Sequence, residues 1–141
     1  MVNEITAGIA DALSKKFGER YTIYTKKLEQ DFSKPCFFIQ NISAEEKQFL
    51  KKRYRFTQSF VIQFFTEEDS DIYTAAEKMM EALEYIKLTD LDESSILKGR
   101  ERNYKVTDEI LDFFVRYDFY GYLESSEESL MEILKAETNI Q

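Results

Sequence analysis

A chain of 141 residues is one domain long, and 43% hydrophobic and 15% aromatic content against a single proline gives it a core to bury and excludes a disordered chain. The formal net charge of −8 argues against a protein whose main task is to grip nucleic-acid phosphates, because that affinity comes from clustered Lys and Arg. With one cysteine, Cys36, and no histidine, an internal disulfide, a Cys/His zinc site and any His-dependent triad are excluded.

From the start of the chain, Val2, Ile5, Ile9, Ala12, Leu13 and Phe17 fall at the three-to-four spacing of a helix with one buried stripe, and Gly18 supplies its stop. "YTIYTKKL" and "CFFIQNI" are short, rich in β-branched and aromatic residues and separated by "EQDFSKP"; they read as two strands around a loop, with Pro35 just ahead of the second. "LKKRYRFTQSFVIQFF" has period two. Leu50, Tyr54, Phe56, Phe60, Ile62 and Phe64 alternate with Lys51, Arg53, Arg55, Thr57, Ser59 and Gln63, and Lys52, Gln58 and Val61 depart from the pattern. The run is long enough for two strands with a turn near Thr57 to Ser59, or for one long bent strand.

A second helix opens after "EEDSD", with Ser70 or Asp71 as its N-cap and Ile72, Ala75, Ala76, Met79, Leu83 and Ile86 as its stripe. "KLTDLDESS" reads as a surface connection. "ILKGRERNYKV" and "EILDFFVRYDFYGYL" then read as a hairpin turning near Thr107 to Glu109, the second strand alternating Leu111, Phe113, Val115, Tyr117, Phe119 and Leu123 against Asp112, Arg116 and Asp118. Ser125 and Glu128 have capping-box spacing ahead of Leu130, Met131, Ile133 and Leu134, which predicts a short last helix.

The expected fold is therefore α+β, in the order α-β-β-β(-β)-α-β-β-α, with an antiparallel or mixed sheet and helices mainly on one face. Residues 1–123 form a single domain and 124–141 a C-terminal helix and tail. The longest apolar runs fall far short of a membrane span, and the first residues lack the basic and apolar regions of a signal peptide, so the expected location is a cytoplasm and no membrane partner is expected. The sequon Asn41-Ile42-Ser43 is then a chance match.

Candidate chemistry is sparse. Lys47, Lys51, Lys52, Arg53 and Arg55 interleave with Phe49, Tyr54 and Phe56 in the manner of single-strand platforms, but parity puts aromatics and most cations on opposite strand faces. A core face backed by a solvated or partner-facing basic face fits better. Glu67, Glu68, Asp69 and Asp71 lack the glycine turn and distal glutamate of a calcium loop and suit a helix N-terminus. Asp108, Glu109 and Asp112 suit a turn and a solvent face better than an acid–base pair. Cys36, inside an apolar strand with no base to activate it, reads as an inert buried thiol. No phosphate-binding glycine loop is present. No catalytic residue, metal or cofactor is expected.

Taken in order, "YTIYTKKLEQDFSKPCFFIQNI", "KKRYRFTQSFVIQFF", "MMEALEYI" and "LKGRERNYKVTDEILDFFVRYDF" resemble the tail terminator proteins of phages and prophages of Gram-positive bacteria. The likeness runs from Ile5 to about Tyr122 and leaves Glu124 to Gln141 outside it. The resemblance implies a small non-enzymatic α+β subunit that assembles as a ring, a hexamer, on the end of the tail tube. It implies as partners the tube protein and the head-completion or neck proteins, with DNA passing through the lumen without specific binding. It also implies a place in the host cytoplasm during assembly and then at the head-proximal end of the virion tail. Lys51, Arg53 and Arg55 are the candidate subunit interface, meeting an acidic face of the neighbouring copy: the first half of the chain is nearly neutral and the second carries almost all the excess acid. The alternative reading is a small adaptor, or another neck or minor tail protein, acting as monomer or dimer.

Overall fold

The structure is a computed structural model and describes residues 2–27, 30–50, 52–66, 72–88 and 95–122. The first helix, α1, spans Val2–Phe17 as its spacing predicts, and buries Ile5, Ile9 and Leu13 completely. Gly18 ends it at φ +97°, its N–H donating to the Ser14 carbonyl at 2.9 Å, a left-handed cap that a side chain would strain.

The strands are β1 (Thr22–Tyr24), β2 (Cys36–Leu50), β3 (Arg53–Phe65), β4 (Tyr85–Leu88), β5 (Ser95–Thr107) and β6 (Ile110–Tyr122), and the second helix, α2 (Ile72–Ala82), falls between β3 and β4. They form one mixed sheet in the order β1-β2-β3-β6-β5-β4, with only the β1–β2 pair parallel. Both helices pack on one face of this sheet in a single core. That is the α+β class expected from the sequence.

The long aromatic run resolves as one strand. It starts at Arg53, Leu50 lies across the hairpin at the end of β2, and pairing continues through Thr57 to Ser59 without a turn. The even-numbered face carries Phe56, Phe60, Ile62 and Phe64 into the core beside Phe119, Val115, Phe113 and Leu111 of β6. The odd face is not simply solvated: Thr57, Val61 and Phe65 are buried as well, because β3 lies between two long strands. Gln58, a departure from the pattern, is buried on the core face opposite Tyr117.

Three elements differ from the sequence reading. β2 continues through "SAEEKQFL", where every residue from Gln40 to Gln48 is exposed, so no alternation marked it as strand. The helical stripe stops earlier than expected: α2 ends at Ala82, and Ile86 is buried from β4, where Tyr85 and Lys87 point out and Ile86 and Leu88 point in. That strand also takes up the start of the presumed surface connection. The first predicted strand shrinks to three residues, pairing Thr22 to Tyr24 with Cys36 to Phe38. The N-cap at Ser70 or Asp71, the remainder of the 89–94 connection and the predicted last helix lie outside the described residues.

The β5–β6 hairpin turns where predicted. Thr107 pairs with Ile110, and Asp108 and Glu109 between them have φ of 52° and 65°, the positive pair of a type I′ turn that matches the twist of the strands.

Candidate functional site

The face of the sheet away from the helices has two parts. At one end Phe32 from the loop before β2 covers Phe65, with ring centroids 4.8 Å apart, in a small cluster with Cys36 and Phe38. Burial pushes the Cys36 thiol above its ordinary value, outweighing the opposing charge of Lys34. An inert buried cysteine is what the sequence predicted.

Toward the other end the same face turns polar. Arg55 is exposed and stands directly opposite Lys47 of β2 on one side and Tyr120 of β6 on the other. Arg53, half-buried, starts the same strand opposite Tyr122. Lys51, the third residue of the predicted interface, lies outside the described residues.

The structure brings to Arg55 a group of cations that sequence reasoning did not join to it. β5 breaks its register between Arg100 and Asn103, with Glu101 at φ 53°. At this bulge Lys98, Arg100, Arg102 and Arg116 gather with Arg55 around an open cleft of ≈ 470 Å³ that also holds Glu101, Asp118 and Tyr120. Arg116 donates to Glu101 Oε2 at 2.6 Å, and Arg100 approaches Asp118 Oδ2 at 3.6 Å. Arg102 turns the other way and donates to the Met80 carbonyl near the end of α2, one of the acceptors a helix terminus leaves open. Gly99 makes the close approach possible. Its N–H donates to the Glu84 carbonyl at 2.6 Å, and a Cβ there would collide with the Leu83 carbonyl. The run "KGRER" was the one local signal for this cleft. Its link to Arg55 is tertiary, made by β6 lying between β3 and β5.

The other candidate residues disperse. Asp112 accepts a hydrogen bond from Gln63 at 3.0 Å on the outer face while Asp108 and Glu109 occupy the hairpin turn. The acidic run from Glu67 to Asp71 lies outside the described residues, and among the described residues no group of three or more acids or thiols is placed to hold a metal. The Asn41 side-chain amide donates to the Ser43 and Ser59 carbonyls at the β2 bulge. No helix among the described residues is long and apolar enough to cross a membrane.

The chain is thus an α+β protein with one helix-covered core and a charged, partly basic outer sheet face. Residues 4–129 match the phage tail terminator protein family, and the chain belongs to it. It is thus a structural protein of the phage tail, as the resemblance implied. Among the described residues the match covers β1 to β6, α2 and all of α1 but Val2 and Asn3. No curated protein matches the chain.

Proposed function

We propose that this protein assembles as a ring, a hexamer, on the end of the tail tube, stops tube polymerisation and forms the joint to the head-completion proteins. DNA passes through the lumen without specific binding, and no cofactor or catalytic residue takes part. During assembly the protein is in the host cytoplasm, and in the virion it occupies the head-proximal end of the tail. The observation that carries this reading is the family match over nearly the whole chain.

Lys51, Arg53 and Arg55, the last two in β3, are the proposed contribution of the chain's basic run to the interface between neighbouring copies. A ring of identical subunits needs two different, complementary patches, and a basic strand face within a chain of net charge −8 supplies one of them. The net acidic charge favours passage of DNA without adhesion.

The test is light-scattering mass together with negative-stain imaging, across protein concentration and with tube protein added, since such a subunit can stay monomeric until its target nucleates it. Rings, or tubes capped and shortened, are the expected result. A persistent monomer or dimer that leaves tube length unchanged would turn the reading toward an adaptor or other neck protein.

A further inference from the structure

The cleft at the β5 bulge holds more positive charge than its own acids neutralise. Asp118 and Glu101 engage Arg100 and Arg116, which leaves Arg55 and Lys98 with no carboxylate partner among the described residues. Lys47 stands directly opposite Arg55, and Arg100 directly opposite Arg116, and like charges facing each other across strands destabilise a sheet. Arg116 Nε, a donor, is buried in the cleft without a hydrogen-bond partner among the described residues and calls for an acceptor; Asp118 Oδ1, an acceptor in the same state, is not an atom that an anion satisfies. Buried polar groups are normally satisfied, so the cleft is incomplete by itself.

The missing component is anionic, and the chain carries a matching one. From Glu124 to Glu137 the sequence has five glutamates against one lysine. Nucleic acid is the poorer fit: a duplex brings one charge per ~1.7 Å toward a chain of net charge −8 and onto two carboxylates already in the cleft. Separate carboxylates can each face a guanidinium, where charge-assisted bonds are strong and directional.

We propose that the cleft docks a second copy of this chain through the carboxylates of its 124–137 stretch. This rests on the ring reading and deepens it by naming both patches of the contact: Arg55 and Lys98 with their neighbours on one copy, the glutamate-rich stretch on the next. A contact between two different patches runs head to tail, the kind that closes into a ring.

Two full-length variants test it. Arg55→Glu with Lys98→Glu reverses the cleft while leaving both of its ion pairs in place, and Glu124→Lys with Glu127→Lys and Glu128→Lys reverses the stretch; circular dichroism and thermal melting establish that each folds. The expected result by light scattering is that each variant alone fails to assemble and an equimolar mixture assembles, because every reversed cleft then meets a reversed stretch on another copy. Assembly of each variant alone as well as the wild type, or a mixture no better than either variant, overturns the proposal, the second result pointing to each copy's own stretch as the occupant. A labelled synthetic peptide of residues 123–141 is the second probe. It should bind the wild-type chain in a salt-dependent way and bind the cleft variant about tenfold more weakly. Equal binding to both chains, or tighter binding of a duplex oligonucleotide than of the peptide, overturns the proposal. If the wild type forms no assembly even with tube protein added, the ring reading falls, and peptide binding that does not depend on Arg55 and Lys98 overturns the docking as well.

Discussion

Phe60 and Phe113 are both fully buried on adjacent strands, in the core between the sheet and the helices. Replacing either with Ala should destabilise the subunit by about 3–5 kcal/mol in urea unfolding, the transfer term plus the cavity left in a packed core. A loss below about 1 kcal/mol would contradict their burial. Tyr117 differs because it carries a polar atom into the same core and donates its hydroxyl to the Leu83 carbonyl at 2.8 Å. Tyr117→Phe should cost about 1–2 kcal/mol, since the carbonyl is left without its partner. Burial also pushes the Tyr117 hydroxyl far above its ordinary value near 10. The folded state thus keeps a proton that the unfolded chain releases, so stability is intact below pH 10 and falls as pH rises beyond it. Stability measured from pH 9 to 11 should decline less steeply in Tyr117→Phe than in the wild type; parallel curves would count against this account.

At the scale of elements, the β5–β6 hairpin turns on two non-glycine residues with positive φ. Left-handed backbone costs an L-residue roughly 1–2 kcal/mol, and the second position of such a turn favours glycine. Glu109→Gly should therefore raise stability by about 1 kcal/mol in thermal melts, and an unchanged or lower midpoint would show that the turn carries no strain. The alternation in β6 was legible because its partners bury one face throughout: Leu111 to Phe119 were assigned to the core from spacing alone and lie there. The far half of β2 was not legible, since a strand exposed on both faces has no apolar period to read. β4 was hidden for the opposite reason. Ile86 extends the helical stripe by one more turn, and only the end of α2 at Ala82 transfers it to the sheet.

For the whole molecule, the proposed ring predicts that surface and core substitutions separate. Arg53→Glu with Arg55→Glu should impair assembly while leaving the melting temperature of the subunit nearly unchanged, because charges at an exposed or half-exposed position, as Arg55 and Arg53 are, contribute little to folding and more to association. Unchanged oligomer size and tail length in that double variant would remove β3 from the interface. Loss of the fold would instead show that Arg53, which is half-buried, supports the sheet.

The amino-acid sequence by itself determined the class of fold, the boundaries of α1, the buried faces of β3 and β6, the inert state of Cys36 and the family resemblance. All of these rest on local periodicity or on residue types present along the chain. Tertiary structure alone decided strand order, the register that places Lys47 opposite Arg55, and the bulge that turns Arg100 and Arg102 apart. The basic cleft belongs to that second group. Arg55 and Arg100 are far apart in sequence and meet only because β6 lies between their strands, and no local pattern encodes which strand will be its neighbour.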